Sequence, residues 1–161
     1  MTEFNSAVGS MGEAAIAHAG RRELLIGGLW ALFARSPAHA AAPELRRAIE
    51  AFTGGAVVRD GKVVLNIAPL VENGNAVPVT VTVTSPMSAI DHVVSIALFN
   101  ERNPQPDVAQ FTLGPRAGRA RVSTRMRLAT SQQVVALARL NDGTFWAHRV
   151  DVIVTLAACI E

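Results

Sequence analysis

Residues 77–86 read VPVTVTVTSP. Val77, Val79, Val81 and Val83 alternate with Thr80, Thr82 and Thr84, a period of two that no helix accommodates. It predicts a half-buried strand with the valines toward a core and the threonines toward solvent. Ser85 and Pro86 then punctuate the chain.

Working outward, six more runs carry strand character: Lys62 to Ile67, His92 to Phe99, Val108 to Leu113, Ala120 to Leu128, Gln133 to Leu140 and Thr144 to Leu156. Turn clusters separate them: ENGN (72–75), SPMS (85–88), NERNPQPD (100–107), GPRAG (114–118), ATSQ (129–132) and NDG (141–143). About seven short strands at even spacing, with no helix between them, predict an all-β protein, an immunoglobulin-like antiparallel β-sandwich. A closed barrel is the competing solution. The last run is long for one strand, so a bulge or bend is expected near Ala147 to Asp151. The NDG cluster predicts a hairpin, because Asn, Asp and Gly tolerate positive φ.

Upstream of the strands, APELRRAIEAFTGG (42–55) has the helical period instead. Pro43 suits a first helical position, Leu45, Ala48, Ile49 and Phe52 share one face, and Gly54-Gly55 supply the stop. The expectation is a short amphipathic helix capping the sandwich.

The first forty residues read as an address. GRRELLIGGLWALFARSPAHA (20–40) places Arg21 and Arg22 before an apolar run from Leu24 to Phe33. Ala38-His39-Ala40 follows as a small-x-small cleavage site. The run is too short for a bilayer, which needs roughly 20 residues, so no membrane anchor is expected. Paired arginines fit the route that exports folded proteins. The predicted organisation is a twin-arginine-type signal peptide over 1–40, a sandwich over 41–156 and a C-terminal arm over 157–161, with the mature protein in the periplasm.

Composition narrows the chemistry. A formal net charge of +2 over 161 residues gives no footprint for nucleic acid. The absence of Tyr and the presence of only 2 Trp leave few platforms for stacking bases or sugars. Downstream of the leader the histidines are His92 and His148, without ligand spacing, so no metal site is expected. Asp91 beside His92 suggests a catalytic pair only until strand geometry is considered, since neighbours on a strand face opposite ways. RARVSTRMRL (119–128) puts Arg119, Arg121, Arg125 and Arg127 mainly on one face, opposite Val122, Thr124, Met126 and Leu128. Such a stripe is a solvated face or an interface.

One residue is left over. The 1 cysteine of the chain, Cys159, follows the alternating run Val150, Val152, Val154, Leu156 in VDVIVTLAACIE (150–161). A single Cys excludes an intrachain disulfide and any multi-cysteine metal site. A buried thiol without chemistry and an intermolecular disulfide are both open readings. An exposed thiol on a short arm, able to enter another protein's active site, is the reading that uses its position. Ala157 and Ala158 add about 7 Å at full stretch between Leu156 and Cys159.

From about Pro43 onward the sequence resembles the SoxY family, the sulfur-carrier subunits of the periplasmic thiosulfate-oxidising Sox system. The resemblance is densest in ENGNAVPVTVTVTSPM (72–87), in the stretch from Phe99 to Gly143 and in the tail. It implies a β-sandwich that pairs with a second small sandwich, SoxZ, and carries sulfur on Cys159. It also implies three transient partners. A haem enzyme, SoxAX, joins thiosulfate to the thiol; a manganese hydrolase, SoxB, removes sulfate; in some organisms SoxCD oxidises the remaining sulfur. No cofactor is implied on the chain itself, and the role is that of a covalent substrate handle rather than an enzyme.

The tail departs from the family pattern. Where the family has Gly-Gly-Cys-Gly-Gly, this chain has Ala157, Ala158, Cys159, Ile160 and Glu161. Ala and especially β-branched Ile reach fewer backbone conformations than Gly. The Glu161 carboxylate opposes both a thiolate and an attached anionic sulfonate. Two other functions stay open: a divergent SoxY-like subunit serving another exported redox system such as a quinoprotein dehydrogenase, and an extracellular sandwich-type binding module.

Overall fold

The structure, a computed structural model, describes residues 42–158. The expected signal residues Arg21, Arg22, Ala38 and Ala40, and the tail residues Cys159, Ile160 and Glu161, lie outside the described residues. The chain runs through α1 (Pro43–Thr53), β1 (Val58–Asp60), β2 (Val63–Asn66), β3 (Leu70–Asn73), β4 (Val77–Val83), β5 (Val93–Asn100), β6 (Asp107–Thr112), β7 (Arg121–Met126), β8 (Gln132–Leu140) and β9 (Phe145–Leu156). Two sheets form a sandwich of immunoglobulin type. The larger has the order β1-β9-β8-β5-β6, with β3 also on β9; the smaller has the order β2-β4-β7.

The valine alternation sets the inner face of the small sheet. Val77, Val79, Val81 and Val83 are each at most 4% exposed, whereas Pro78 and Thr82 face out. Burying one valine stabilises by roughly 1.5–3 kcal/mol, so a one-residue slip of β4, which would exchange the whole set for Pro and Thr, is ruled out by energy. Ile96, Leu98, Val134, Ala136 and Val152 complete the core from the large sheet.

The centre of the large sheet, β5 and β8, is buried on both faces. Ala97, Phe99, Val135, Leu137 and Ala147 point away from the sandwich core and meet Leu45, with Ala48, Ile49 and Phe52, on α1. Phe52 packs edge-on against Phe99 and Phe145, with ring centroids 5.9 Å apart in both pairs. The helix stops where expected. Gly54 takes φ 64°, the left-handed value open to glycine, and its N–H donates to the Glu50 carbonyl.

Two expectations are corrected. The sheet is not wholly antiparallel, because β1 and β3, absent from the sequence reading, both pair in parallel with β9. They are three and four residues long and largely exposed, too short and too polar to show a period. The bulge expected near Ala147 to Asp151 does not occur: β8 and β9 keep an unbroken register from Gln132↔Val152 to Arg139↔Phe145. The length of β9 is sustained instead by neighbours on its other edge, β1 along Phe145–Ala147 and β3 along Ile153–Leu156.

The NDG cluster forms the β8–β9 hairpin. Asp142 Oδ1 accepts from the Thr144 N–H at 2.9 Å and from its Oγ1 at 2.7 Å. These hydrogen bonds, the backbone one foremost, hold the Asp142 carboxyl below the usual carboxylate range.

Candidate functional site

The end of the sandwich from which the chain leaves toward Cys159 is built from three segments remote in sequence. The first is the ENGN turn. Asn73 Oδ1 accepts from the Asn75 N–H at 2.9 Å, capping a single 3-10 turn over Gly74–Ala76. The second is the segment after β7, where the Leu128 N–H donates to the Gly74 carbonyl at 2.9 Å and the Leu128 side chain is fully buried. The third is the continuation of β9. The Ala158 N–H donates to the Leu128 carbonyl at 3.1 Å, and Ala158 is only 6% exposed.

This places the arm differently from the sequence reading. Ala157 is exposed, as a tether residue would be, but Ala158 is docked. The fraying expected beyond the last strand residue is opposed by a main-chain hydrogen bond and a buried methyl. Because the bond uses main-chain atoms, an alanine at 158 makes it as a glycine would.

A polar network stiffens the loop that carries Leu128. Asn103 Nδ2 donates to the Arg127 carbonyl at 2.9 Å, and its Oδ1 accepts from the Ala129 N–H at 3.0 Å and from Gln132 Nε2 at 2.8 Å. Gln132 Oε1 in turn accepts from the Arg102 N–H at 2.8 Å. Glu101, 8% exposed, accepts from the Gln133 N–H. The stretch NERNPQPD, read from sequence only as a turn, is thus the brace between the β5–β6 and β7–β8 connections. On the other side, Ser131 Oγ accepts from the Val154 N–H at 2.9 Å, tying the β7–β8 connection to β9 just upstream of the docked tail.

The arginine stripe lies as expected. Arg119, Arg121, Arg125 and Arg127 are all exposed, while Ala120, Met126 and Leu128 are buried. Strand β7 is an outer strand of the small sheet, paired on one side only. Among the described residues the ion pairs are Arg149–Asp60 and Arg102–Glu101, so the stripe has no carboxylate within ion-pairing distance there. It ends at Arg127, beside the residue whose carbonyl holds Ala158.

The other singled-out residues stay apart from this end. His148 Nδ1 accepts from the Leu65 N–H at 2.9 Å, bridging β9 to β2. His92 precedes β5, with its N–H donated to Asn141 Oδ1. Asp91 precedes β5 as well, its carbonyl accepting from the Ser88 N–H. Among the described residues no group of three His, Cys, Asp or Glu is arranged to hold a metal, and no helix is long and apolar enough to cross a membrane.

Fold and root together define a class: an immunoglobulin-type sandwich that holds its C-terminal segment against one end through main-chain bonds. The family model for sulfur oxidation protein SoxY matches residues 49–159. The chain belongs to the SoxY family of sulfur carriers. The sulfur carrier protein SoxY from Chlorobium limicola f thiosulfatophilum is 30% identical with a TM-score of 0.60, over 70% of this chain and 97% of that one. A superoxide reductase (neelaredoxin) from Ignicoccus hospitalis reaches a TM-score of 0.52 at 19% identity, over 58% of this chain and 79% of that one. The superoxide reductase from Nanoarchaeum equitans reaches 0.50 at 11% identity, over 60% of this chain and 100% of that one. These two share the fold alone. Among curated proteins, none matches the chain.

Proposed function

We propose that the chain is a periplasmic carrier that holds thiosulfate-derived sulfur covalently on Cys159 and presents it to partner enzymes. The observation that carries this reading is the root: the structure docks the chain at Ala158, and the match to the sulfur-carrier family runs through Cys159, the next residue. A thiol that follows a docked residue has a defined point of departure from the domain.

The chemistry balances without a cofactor on the carrier. The Cys159 thiolate forms a sulfur–sulfur bond with thiosulfate, giving Cys159-S-S-SO3⁻, and the two electrons released pass to the conjugating partner, a SoxAX-like haem enzyme. Hydrolysis by a SoxB-like partner breaks the bond to the sulfonate. It consumes one water, releases sulfate and two protons, and leaves the persulfide Cys159-S-S⁻. A SoxCD-like dehydrogenase would oxidise that sulfur further. The carrier contributes the nucleophile of the first step and a position in every step, not acid–base or metal catalysis.

Two surface features support the partnerships. The exposed arginines, without a carboxylate in ion-pairing distance among the described residues, end one residue from the root, where they lower the cost of bringing anionic sulfur species close. The outer face and free edge of β7 suit a second chain, a SoxZ-like subunit in a heterodimer, because an uncovered edge invites unwanted pairing. Arg21 and Arg22 direct export, with cleavage after Ala40.

The non-glycine tail favours one other reading, a divergent SoxY-like subunit in a different exported redox system. The experiment that separates them is conjugation in vitro: purified chain, thiosulfate, a SoxAX-type enzyme and an electron acceptor, followed by intact mass. A thiosulfonate adduct on wild type that is absent from Cys159→Ser supports the carrier. A wild type that never conjugates, beside a tail changed to glycines that does, assigns the chain to the second reading.

A further inference from the structure

If Cys159 is the carrier residue, the last point at which its tether is held decides how far the sulfur travels, and the fold contains a device at that point. Gly74 is sandwiched between two other backbones. A Cβ built on it would overlap the Leu128 carbonyl oxygen, would lie 3.0 Å from the Ala158 nitrogen and would lie 3.2 Å from Val154 Cγ1. Its φ is not among the positive ones, so space rather than conformation demands glycine. The Leu128 N–H donates to Gly74 and the Leu128 carbonyl accepts from Ala158, so one residue links the turn to the tail.

We infer that the Gly74 turn is a clasp, with Gly74 and Leu128 acting as positioning residues that pin Ala158 and so set the last fixed point before Cys159. This deepens the carrier reading and rests on it. With the clasp closed, Cys159 is a single Cα–Cα step of about 3.8 Å from a residue fixed on the domain. Partner active sites must therefore come to the domain surface beside Leu128. With the clasp open, the last tie is the β3–β9 pairing at Asn73↔Leu156, and the tether gains two residues, about 7 Å of reach. A short pinned tether confines the thiol to a small volume and raises its effective concentration before a docked partner.

The test is a nitroxide label on Cys159 of the full chain, read by electron paramagnetic resonance, together with amide exchange at Ala158. Wild type should give a motionally restricted spectrum. Gly74→Ala should give a fast-tumbling one and speed Ala158 exchange about tenfold, the equivalent of one lost hydrogen bond. Ala158→Pro, which deletes the donor beyond the last strand and leaves the turn intact, should mobilise the label in the same way, and it decides the matter if Gly74→Ala does not fold. Ile96→Val, a core change remote from the root, should leave the spectrum unaltered even as it lowers stability. A wild-type label as mobile as in Ala158→Pro would overturn the clasp. A restricted label on a protein that takes up no sulfur would leave the clasp standing and overturn the carrier reading instead.

Discussion

Replacing Asn103 with Ala tests whether the loop that carries Leu128 is braced as described. The side chain makes three hydrogen bonds, to the Arg127 carbonyl, the Ala129 N–H and Gln132 Nε2, at 2.8–3.0 Å. Each contributes about 1 kcal/mol net. Gln132 keeps its second acceptor, the Thr130 carbonyl, and water reaches a half-buried site, so the expected loss is about 2 kcal/mol rather than 3. For a domain of this size that corresponds to a fall in Tm of roughly 6–12 °C. Thermal unfolding followed by circular dichroism, with urea unfolding at unchanged m-value, measures it. Gln132→Ala removes the other end of the shared bond, so the double variant should be less destabilised than the two singles added together, by about 1 kcal/mol. An Asn103→Ala loss below about 0.5 kcal/mol, or strict additivity with Gln132→Ala, would refute the brace.

Changing Arg21 and Arg22 to Lys should retain the precursor in the cytoplasm, whereas N-terminal sequencing of periplasmic wild type should begin at Ala41. Co-expression with a SoxZ-like chain should yield a one-to-one heterodimer in gel filtration, weakened at least tenfold by Arg121→Glu with Arg125→Glu; a monomer indifferent to that chain would count against the β7 face. Converting Ala157, Ala158, Ile160 and Glu161 to Gly should speed conjugation of thiosulfate by a SoxAX-type enzyme, and Glu161→Gln alone should recover the electrostatic share, which added salt reduces. Because the folded Asp142 carboxyl titrates below its unfolded value of about 3.9, its contribution is fully present above that pH and is lost as pH falls through the lower folded value. The stability gap between wild type and Asp142→Asn should accordingly close on acidification from pH 6 to pH 2.5; a gap that widened would contradict the assignment.

The sandwich was legible wherever one face of a strand is buried and the other wet. The valines of β4 and the arginines of β7 announce their faces because the small sheet has solvent on one side. Strands β5 and β8 are covered on both faces, by the core and by α1, so IALF and VVALA are continuous apolar runs in which no period survives. Leu45, Ala48, Ile49 and Phe52 revealed the helix that does the covering. Strands β1 and β3 left no trace, since what holds them is main-chain pairing to β9, to which sequence patterns are blind. The same blindness hid the root: Gly74 reads as an ordinary turn glycine, and nothing in ENGN says that the Leu128 carbonyl and the Ala158 nitrogen lie against it. Asn103 and Gln132 looked like loop residues because their partners are mostly backbone atoms of a distant connection.

The most direct measurement is intact mass, with mapping of the C-terminal peptide, on the protein purified under non-reducing conditions from cells oxidising thiosulfate. The carrier account predicts mass increments corresponding to thiosulfonate and persulfide, confined to the peptide containing Cys159, removed by reductant and absent from Cys159→Ser. An unmodified Cys159 in such cells, or sulfur that persists in Cys159→Ser, would contradict it.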